Sequence, residues 1–179
     1  KSLKFFPSAG APVPRTLVRR GLDDLPGCQV WSYFGTSEAG AVTAVPLDAN
    51  LDERLDTDGI AMPGTVTRVI DGELQIYSPE QMMKGYWNDP ERNKDAIRDG
   101  WMHTGDLAVF DDAGFCTITG RVKDMIISGG ENIYPAEVEN AVYAHPKVAD
   151  VAVIGVPDQK WGEAVKGVAV VAMRMDIPG

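Results

Sequence analysis

TGRVKDMIISGGENIYPAEVE, Thr119–Glu139, is the stretch on which the reading of the fold turns. Its first two residues close FCTITG, an apolar and β-branched run that reads as a strand. Arg121, Val122, Lys123 and Asp124 then interrupt the pattern. MIIS predicts a short strand, GGEN a turn, and Pro135 to Ala144 a helix with Val138, Ala141 and Val142 on one face. VADVAVIGV and KGVAVVAM follow as strands, so the tail reads as a small α+β unit. RVKD therefore marks a junction between two architectures.

Upstream of the junction the pattern is mostly antiparallel β. TVTRVIDGELQIYS holds two strand-like runs around Asp71-Gly72, a hairpin signal because both turn residues must accept positive φ. Asp89 suits a helix N-cap with Pro90 in the first turn, and DLAVF and FCTITG form a second hairpin around DDAG. Residues 47–62 are polar and predict a loop. Before them, LKFF reads as a strand, SAGAP as a tight turn, Pro14 as the first position of a helix, and CQVWSYF and AVTAVP as strands. Three strands and one helix cannot bury both their faces. The abrupt ends, KSLKFFP and DIPG, lead us to expect a piece of a longer chain.

Composition limits what this chain can bind. It has 179 residues, 44% of them hydrophobic, and a formal net charge of −9. Such a balance repels phosphate backbones and anionic lipid, which argues against nucleic-acid or membrane partners. No apolar run approaches the length of a membrane span. An anionic ligand must then be held by local devices. Cys28 and Cys116 are the only cysteines and are far apart, so neither a disulfide framework nor a zinc site is indicated, which suits a reducing cytoplasm. His103 and His145 have no ligand partners nearby in sequence, and structural or surface roles are expected.

Four stretches could carry chemistry. YFGTSEAG, Tyr33–Gly40, supplies a ring (Phe34), a glycine that admits close approach (Gly35), two hydroxyls (Thr36, Ser37) and a carboxylate (Glu38). Hydroxyls donate to phosphate oxygens, and a carboxylate can hold a Mg²⁺ that shares those oxygens. The same residues also read as a turn rich in small polar groups. In GWMHTGDLAVF, an ionised Asp106 could accept both hydroxyls of a ribose, or simply cap a turn. In GRVKD, Arg121 offers a fixed fork of donors to a ribose edge or phosphate. In ISGGENIYPAEVE, Gly129 and Gly130 let a narrow ligand lie against bare backbone, although neither GxxxxGK[ST] nor GxGxxG occurs in the chain.

Taken in order, YFGTSE, GYW, GWMHTGDL, TGRVKDMIISGGENIYPAEVE and HPKVADVAVIGVPDQKWGE resemble the adenylate-forming superfamily, and SGGENIYPAEVE most resembles its CoA-ligase branch. The resemblance runs from Leu3 to Met173. It implies a mixed α/β fold: the end of a large α/β N-terminal domain in residues 1–50, a β-rich subdomain with the ribose motif in 51–122, and a hinge with an incomplete α+β C-terminal lid in 123–179. It also implies roles. Ser8–Pro12, with Gly10, Ala11 and Pro12, is similar to the loop along the acyl pocket and adenine. Phe34 is similar to the aromatic that stacks on adenine, where most relatives carry Tyr. Gly35, Thr36 and Ser37 belong to the same ATP-binding segment, with Ser37 where Thr is usual, and Glu38 matches the Mg²⁺ carboxylate. Asp106 and Arg121 match a ribose-binding pair and Lys123 a hinge. Gly129 and Gly130 resemble the turn lining the pantetheine tunnel, and Trp161 an aromatic near the CoA nucleotide.

What the resemblance implies of the whole is an acid–CoA ligase using ATP, Mg²⁺ and coenzyme A on a small-molecule carboxylic acid, with homodimerisation left open. Two elements of the superfamily are expected outside the chain: a Ser/Thr/Gly-rich phosphate loop before Lys1 and the adenylation lysine after Gly179. No catalytic residue is therefore assigned within it, and the isolated chain is expected to be inactive. Loading of a carrier protein, oxidation of the adenylate, and a non-catalytic nucleotide-binding fragment are the competing readings. Trp31, Trp87 and Trp101 are expected to be packing residues, and Glu137 and Glu139 a solvated helix start, where the helix dipole favours acidic groups.

Overall fold

Two-residue turns and strand alternation order most of the N-terminal part of the molecule. The structure is a computed structural model that describes residues 3–10, 15–47, 55 and 57–171. Contacts divide the chain into two units, Lys1–Ile118 and Thr119–Gly179. The fold class is mixed α/β with extensive antiparallel pairing, as the sequence predicts.

In the first unit, β1 (Phe5–Ala9) pairs in parallel with β2 (Gln29–Thr36), and α1 (Arg15–Asp24) makes the crossover. β3 (Gly40–Leu47) returns antiparallel to β2, and β4 (Ile60–Ala61) adds an edge, giving the order β1-β2-β3-β4. The first strand is displaced from the expected LKFF. Lys4 only accepts the first bond, from the Gln29 N–H, and the pairing then runs on to Ala9 opposite Tyr33. Ser8 and Ala9 of the expected turn are thus strand. β4 lies inside the expected 47–62 loop; two residues are too few to show alternation. Ala11, Pro12 and Pro14 lie outside the described residues.

The second sheet of this unit carries β5 (Val66–Ile70), β6 (Glu73–Tyr77), β8 (Trp101–Phe110) and β7 (Ile97–Arg98) in the order β5-β6-β8-β7, with β9 (Cys116–Arg121) also pairing β8. The Asp71-Gly72 hairpin forms as expected, with φ of 51° and 82° and Ile70 opposite Glu73. A second Asp-Gly turn, Asp99-Gly100, joins β7 to β8. Between the hairpins, α2 (Pro90–Ala96) is capped by Asp89, whose Oδ1 accepts the Arg92 N–H at 3.1 Å. Asp111 Oδ1 likewise accepts the Ala113 and Phe115 N–H groups at 2.9 and 2.8 Å and shapes the turn before β9.

Alternation along β6 decides the core. Leu74 and Ile76 are fully buried and meet Val42 of β3, Met102 and Ala108 of β8 and Cys116 of β9. Each such aliphatic side chain contributes about 1.5–3 kcal/mol by leaving water. A second cluster packs Val18 of α1 on Val30, Val45 and Leu47, with Leu55. Of the tryptophans, Trp31 stacks on Tyr33 at 6.0 Å and Trp101 lies under the Arg68 guanidinium at 3.9 Å. Trp87 is 96% exposed, which corrects its expected packing role: no neighbouring element covers the ring.

The second unit contains a 3₁₀ turn (Val122–Asp124), β10 (Ile126–Ser128), β11 (Glu131–Ile133), α3 (Pro135–Tyr143), β12 (Val148–Asp158) and β13 (Gly162–Val171). Its sheet order is β11-β10-β13-β12. The expected four-residue turn GGEN contracts to Gly129-Gly130, because Glu131 and Asn132 pair with Ser128 and Ile127. On α3, Val138 and Val142 are half-buried but Ala141 is exposed. Glu137 is exposed as expected, whereas Glu139 is half-buried and its Oε1 accepts the Val153 N–H at 2.8 Å.

Candidate functional site

β1 and β2 are the parallel pair, and a ligand cleft belongs at the carboxyl ends of such strands, where connections diverge. A cleft of about 500 Å³ opens there, lined by Gly10 at the end of β1 and by Phe34, Gly35, Thr36 and Ser37 at the end of β2, with Gly40 and Ala41 opposite. The structure therefore brings together five of the residues singled out from sequence. The register shifts between Phe34 and Gly35, where β2 and β3 come very close. A Cβ on Gly35 would sit 2.3 Å from the Gly40 carbonyl oxygen, so only glycine fits. Thr36 Oγ1 accepts the Ala39 N–H at 3.0 Å, which fixes the turn carrying Glu38.

Glu38 is held from a distance in sequence. The Tyr86 hydroxyl donates to its Oε1 at 2.6 Å, and Arg92 lies over the Tyr86 ring at 3.8 Å. The Tyr86 hydrogen bond, acting against partial burial and aided by the positive charge of Arg92, keeps the Glu38 carboxyl below its ordinary range. The same bond raises the Tyr86 phenol. Glu38 is thus an ionised carboxylate at neutral pH, the donor type Mg²⁺ takes. No cluster of three His, Cys, Asp or Glu side chains exists among the described residues, so an ion here would draw its other ligands from phosphate and water. GYW carries no local sign of this bond, because the contact crosses 48 positions.

Asp106 lies on β8 and is 7% exposed. It is not among the described residues lining the cleft. Thr104 anchors it: the Thr104 hydroxyl donates to the Leu74 carbonyl at 2.7 Å and accepts the Asp106 N–H at 3.0 Å. Glu73, also missed from sequence, accepts the Gly105 N–H at 2.9 Å through Oε1 and meets His103 Nδ1 at 2.7 Å through Oε2. His103 is accordingly a structural residue, as expected, and so is His145, whose Nδ1 accepts the Lys147 N–H at 3.2 Å.

The remaining candidates belong to the second unit. Arg121 ends β9 and Lys123 sits in the 3₁₀ turn, both exposed. Gly129 and Trp161 are in contact: the Gly129 N–H donates to the Trp161 carbonyl at 2.8 Å, and a Cβ on Gly129 would lie 2.8 Å from ring atom Cε3. Gly130 completes the same turn. Asp158 Oδ1 accepts the Lys160 and Trp161 N–H groups at 2.8 and 2.9 Å, locking the loop that presents the half-exposed indole. Lys160 Nζ lies over that ring at 4.4 Å. No helix among the described residues is long and apolar enough to cross a membrane.

A family model described as AMP-binding enzyme matches residues 1–87, and one described as AMP-binding enzyme C-terminal domain matches residues 137–177. The chain is 44% identical to the acyl-CoA ligase sidI of Aspergillus fumigatus over 94% of its own length and 31% of the relative's. Among solved structures, the amide bond synthetase McbA from Marinactinospora thermotolerans superposes with a TM-score of 0.86 at 33% identity, covering 96% of this chain and 36% of that one. The o-succinylbenzoate CoA synthetase MenE from Bacillus subtilis, solved with the acyl-adenylate OSB-AMP, gives 0.85 at 31% identity, with 97% and 37% covered. The chain spans about a third of the length of the curated relatives it matches.

Proposed function

This chain belongs to the adenylate-forming superfamily of AMP-binding enzymes, and we propose that the whole protein containing it is an AMP-forming acid–CoA ligase. The observation that carries the reading is the cleft at the ends of β1 and β2, lined by Gly10 and Phe34–Ser37, with an ionised Glu38 next to Ser37 in the chain. In the first step a substrate carboxylate attacks the α-phosphorus of ATP; an acyl–O–phosphorus bond forms and pyrophosphate leaves. In the second, the CoA sulfur attacks the acyl carbon, its proton goes to solvent, and AMP leaves.

Each residue's part follows from its chemistry. Phe34 offers a ring to adenine, and Gly35 admits the nucleotide against bare backbone. Thr36 and Ser37 donate to phosphate oxygens, Asp106 accepts from the ribose hydroxyls, and Arg121 offers its donors to a ribose edge or phosphate. Glu38 holds Mg²⁺, which neutralises phosphate charge when bound. Gly129, Gly130 and Trp161 receive the pantetheine and nucleotide of CoA, and Lys123 is the pivot of a lid formed by residues 123–179. Residues 1–50 and 51–122 then divide the nucleotide site between the phosphate-facing cleft and the ribose motif.

The likeness to an amide bond synthetase supports a second reading, in which an amine rather than CoA receives the acyl group. The full-length protein decides between them. With a panel of fatty and aromatic acids, acid-dependent ATP–pyrophosphate exchange followed by CoA thioester and AMP is expected. Thioester with ADP and phosphate would refute the adenylate, and exchange with amide but no thioester would favour the second reading. The isolated chain is expected to show no exchange.

A further inference from the structure

We propose that Glu73 is a positioning residue for the nucleoside site, its single carboxylate clamping a bulge of β8 so that Asp106 meets the ribose. The inference rests on the ribose reading of Asp106 given above. β6 and β8 pair Glu73 with Leu107 and Gln75 with His103, so two steps along β6 face four along β8. The two extra residues must bulge from the ladder, and Thr104, Gly105 and Asp106 are the residues between these pairs. A bulged N–H loses its cross-strand acceptor, and in a partly buried place it needs another.

Glu73 supplies that acceptor and spans the bulge. Oε1 accepts the Gly105 N–H at 2.9 Å, next to Asp106, and Oε2 takes His103 Nδ1 at 2.7 Å, where regular pairing with Gln75 resumes. His103, in its Nδ1–H form, is therefore a second anchor. Alternation along β6 makes this arrangement consistent with the core. Leu74 and Ile76 are wholly buried in it, which turns Glu73 and Gln75 to the other face of the strand. Charge-assisted bonds of this kind are short and strong, and they leave Gly105 at a φ of 70° that a plain strand would not hold. Thr104 fastens the bulge to Leu74, so the Asp106 backbone is fixed between Thr104 and Glu73.

A clamp for a ribose contact differs from a general stabilising contact in one respect: its loss should matter only to nucleotides that carry the ribose hydroxyls. Calorimetric Kd values for ATP and 2′,3′-dideoxyATP on the full-length protein read this directly. We expect the wild type to favour ATP, Glu73→Ala to weaken ATP about tenfold, and dideoxyATP to change less than about twofold in the same variant. Glu73→Asp keeps the charge but is one methylene too short to reach both ends of the bulge. It should lose most of the same preference with its melting temperature retained, so the test survives if the alanine variant fails to fold. Equal losses for the two nucleotides, or full preference in both variants, would overturn the clamp. A wild type indifferent to the hydroxyls would overturn the ribose reading of Asp106 and the clamp with it.

Discussion

In the first unit, Glu38 and the strand around Asp106 are tied to distant elements by half-buried side chains; in the second, Lys123, Gly129 and Trp161 stand on short, exposed turns. Asp106 is 7% exposed and fixed from β6, and Glu38 is fixed by a tyrosine 48 positions away. Among the described residues of the second unit, only Ile126 and Val153 are buried hydrophobics, α3 buries no residue, and Val168, Val170 and Val171 of β13 are more than half exposed. There Asp158 places Trp161 from within its own loop, and the Gly129 N–H ties the β10–β11 turn to that loop. The side proposed for the nucleotide is thus preorganised by the core, and changes there should cost stability as well as function. The side proposed for CoA should lose function with its fold nearly intact.

One substitution made in both units breaks or sharpens this contrast. Gly35→Ala drives a Cβ to 2.3 Å from backbone, the Gly40 carbonyl, and should cost about 3 kcal/mol or more in urea unfolding. Gly129→Ala meets a half-exposed indole that can yield, at a φ of 61°, and should cost about 1 kcal/mol. Equal costs would remove the distinction between the units.

Lys123→Pro tests the proposed pivot. Proline fixes φ near −65° and removes an N–H, which would trap one lid orientation. One half-reaction of the full-length protein should fall by about a hundredfold while the other persists and melting is unchanged. Equal losses in both would return Lys123 to an ordinary exposed residue of the turn.

The smallest expected effect is Asp58→Asn. Burial raises the Asp58 carboxyl above its ordinary value, although Oδ2 accepts the Ile118 N–H at 2.8 Å. The folded state therefore binds the proton more tightly than the unfolded chain does, and stability falls as pH rises from the unfolded value through the raised one. At neutral pH the ionised group is a cost that asparagine removes while still accepting from Ile118. The variant should gain up to about 1 kcal/mol at pH 7, and the gain should vanish near pH 4. A loss at pH 7 as large as at pH 4 would contradict the sign.

Local chemistry made much of the fold legible. Asp71-Gly72 announced its hairpin, Asp89 its helix, and the Gly-Gly pair its turn. Asp99-Gly100 carried the same signal and was missed, because Ile97–Arg98 is too short a partner to alternate. That Phe34–Ser37 share one place was legible for a similar reason: one strand end delivers all four residues to the cleft. Glu73 and Tyr86 were not, since the bonds that give them roles cross 32 and 48 positions. Trp87 shows the limit of reading bulk as burial, for it lies between β6 and α2, outside any strand whose alternation would bury it.

The central claim of the proposal is that Phe34–Glu38 and Asp106 of the first unit serve the nucleotide, whereas Gly129, Gly130 and Trp161 of the second serve CoA. Measuring the two half-reactions separately in Asp106→Ala and Trp161→Ala forms of the full-length protein tests it most directly. Loss of a charged acceptor should raise KM for ATP in pyrophosphate exchange about tenfold. Trp161→Ala should leave that exchange within about twofold and raise KM for CoA in thioester formation about tenfold, the share expected of a stacking ring. If Trp161→Ala lowers exchange as much as thioester formation, or Asp106→Ala leaves KM for ATP unchanged, the assignment of the two units is wrong.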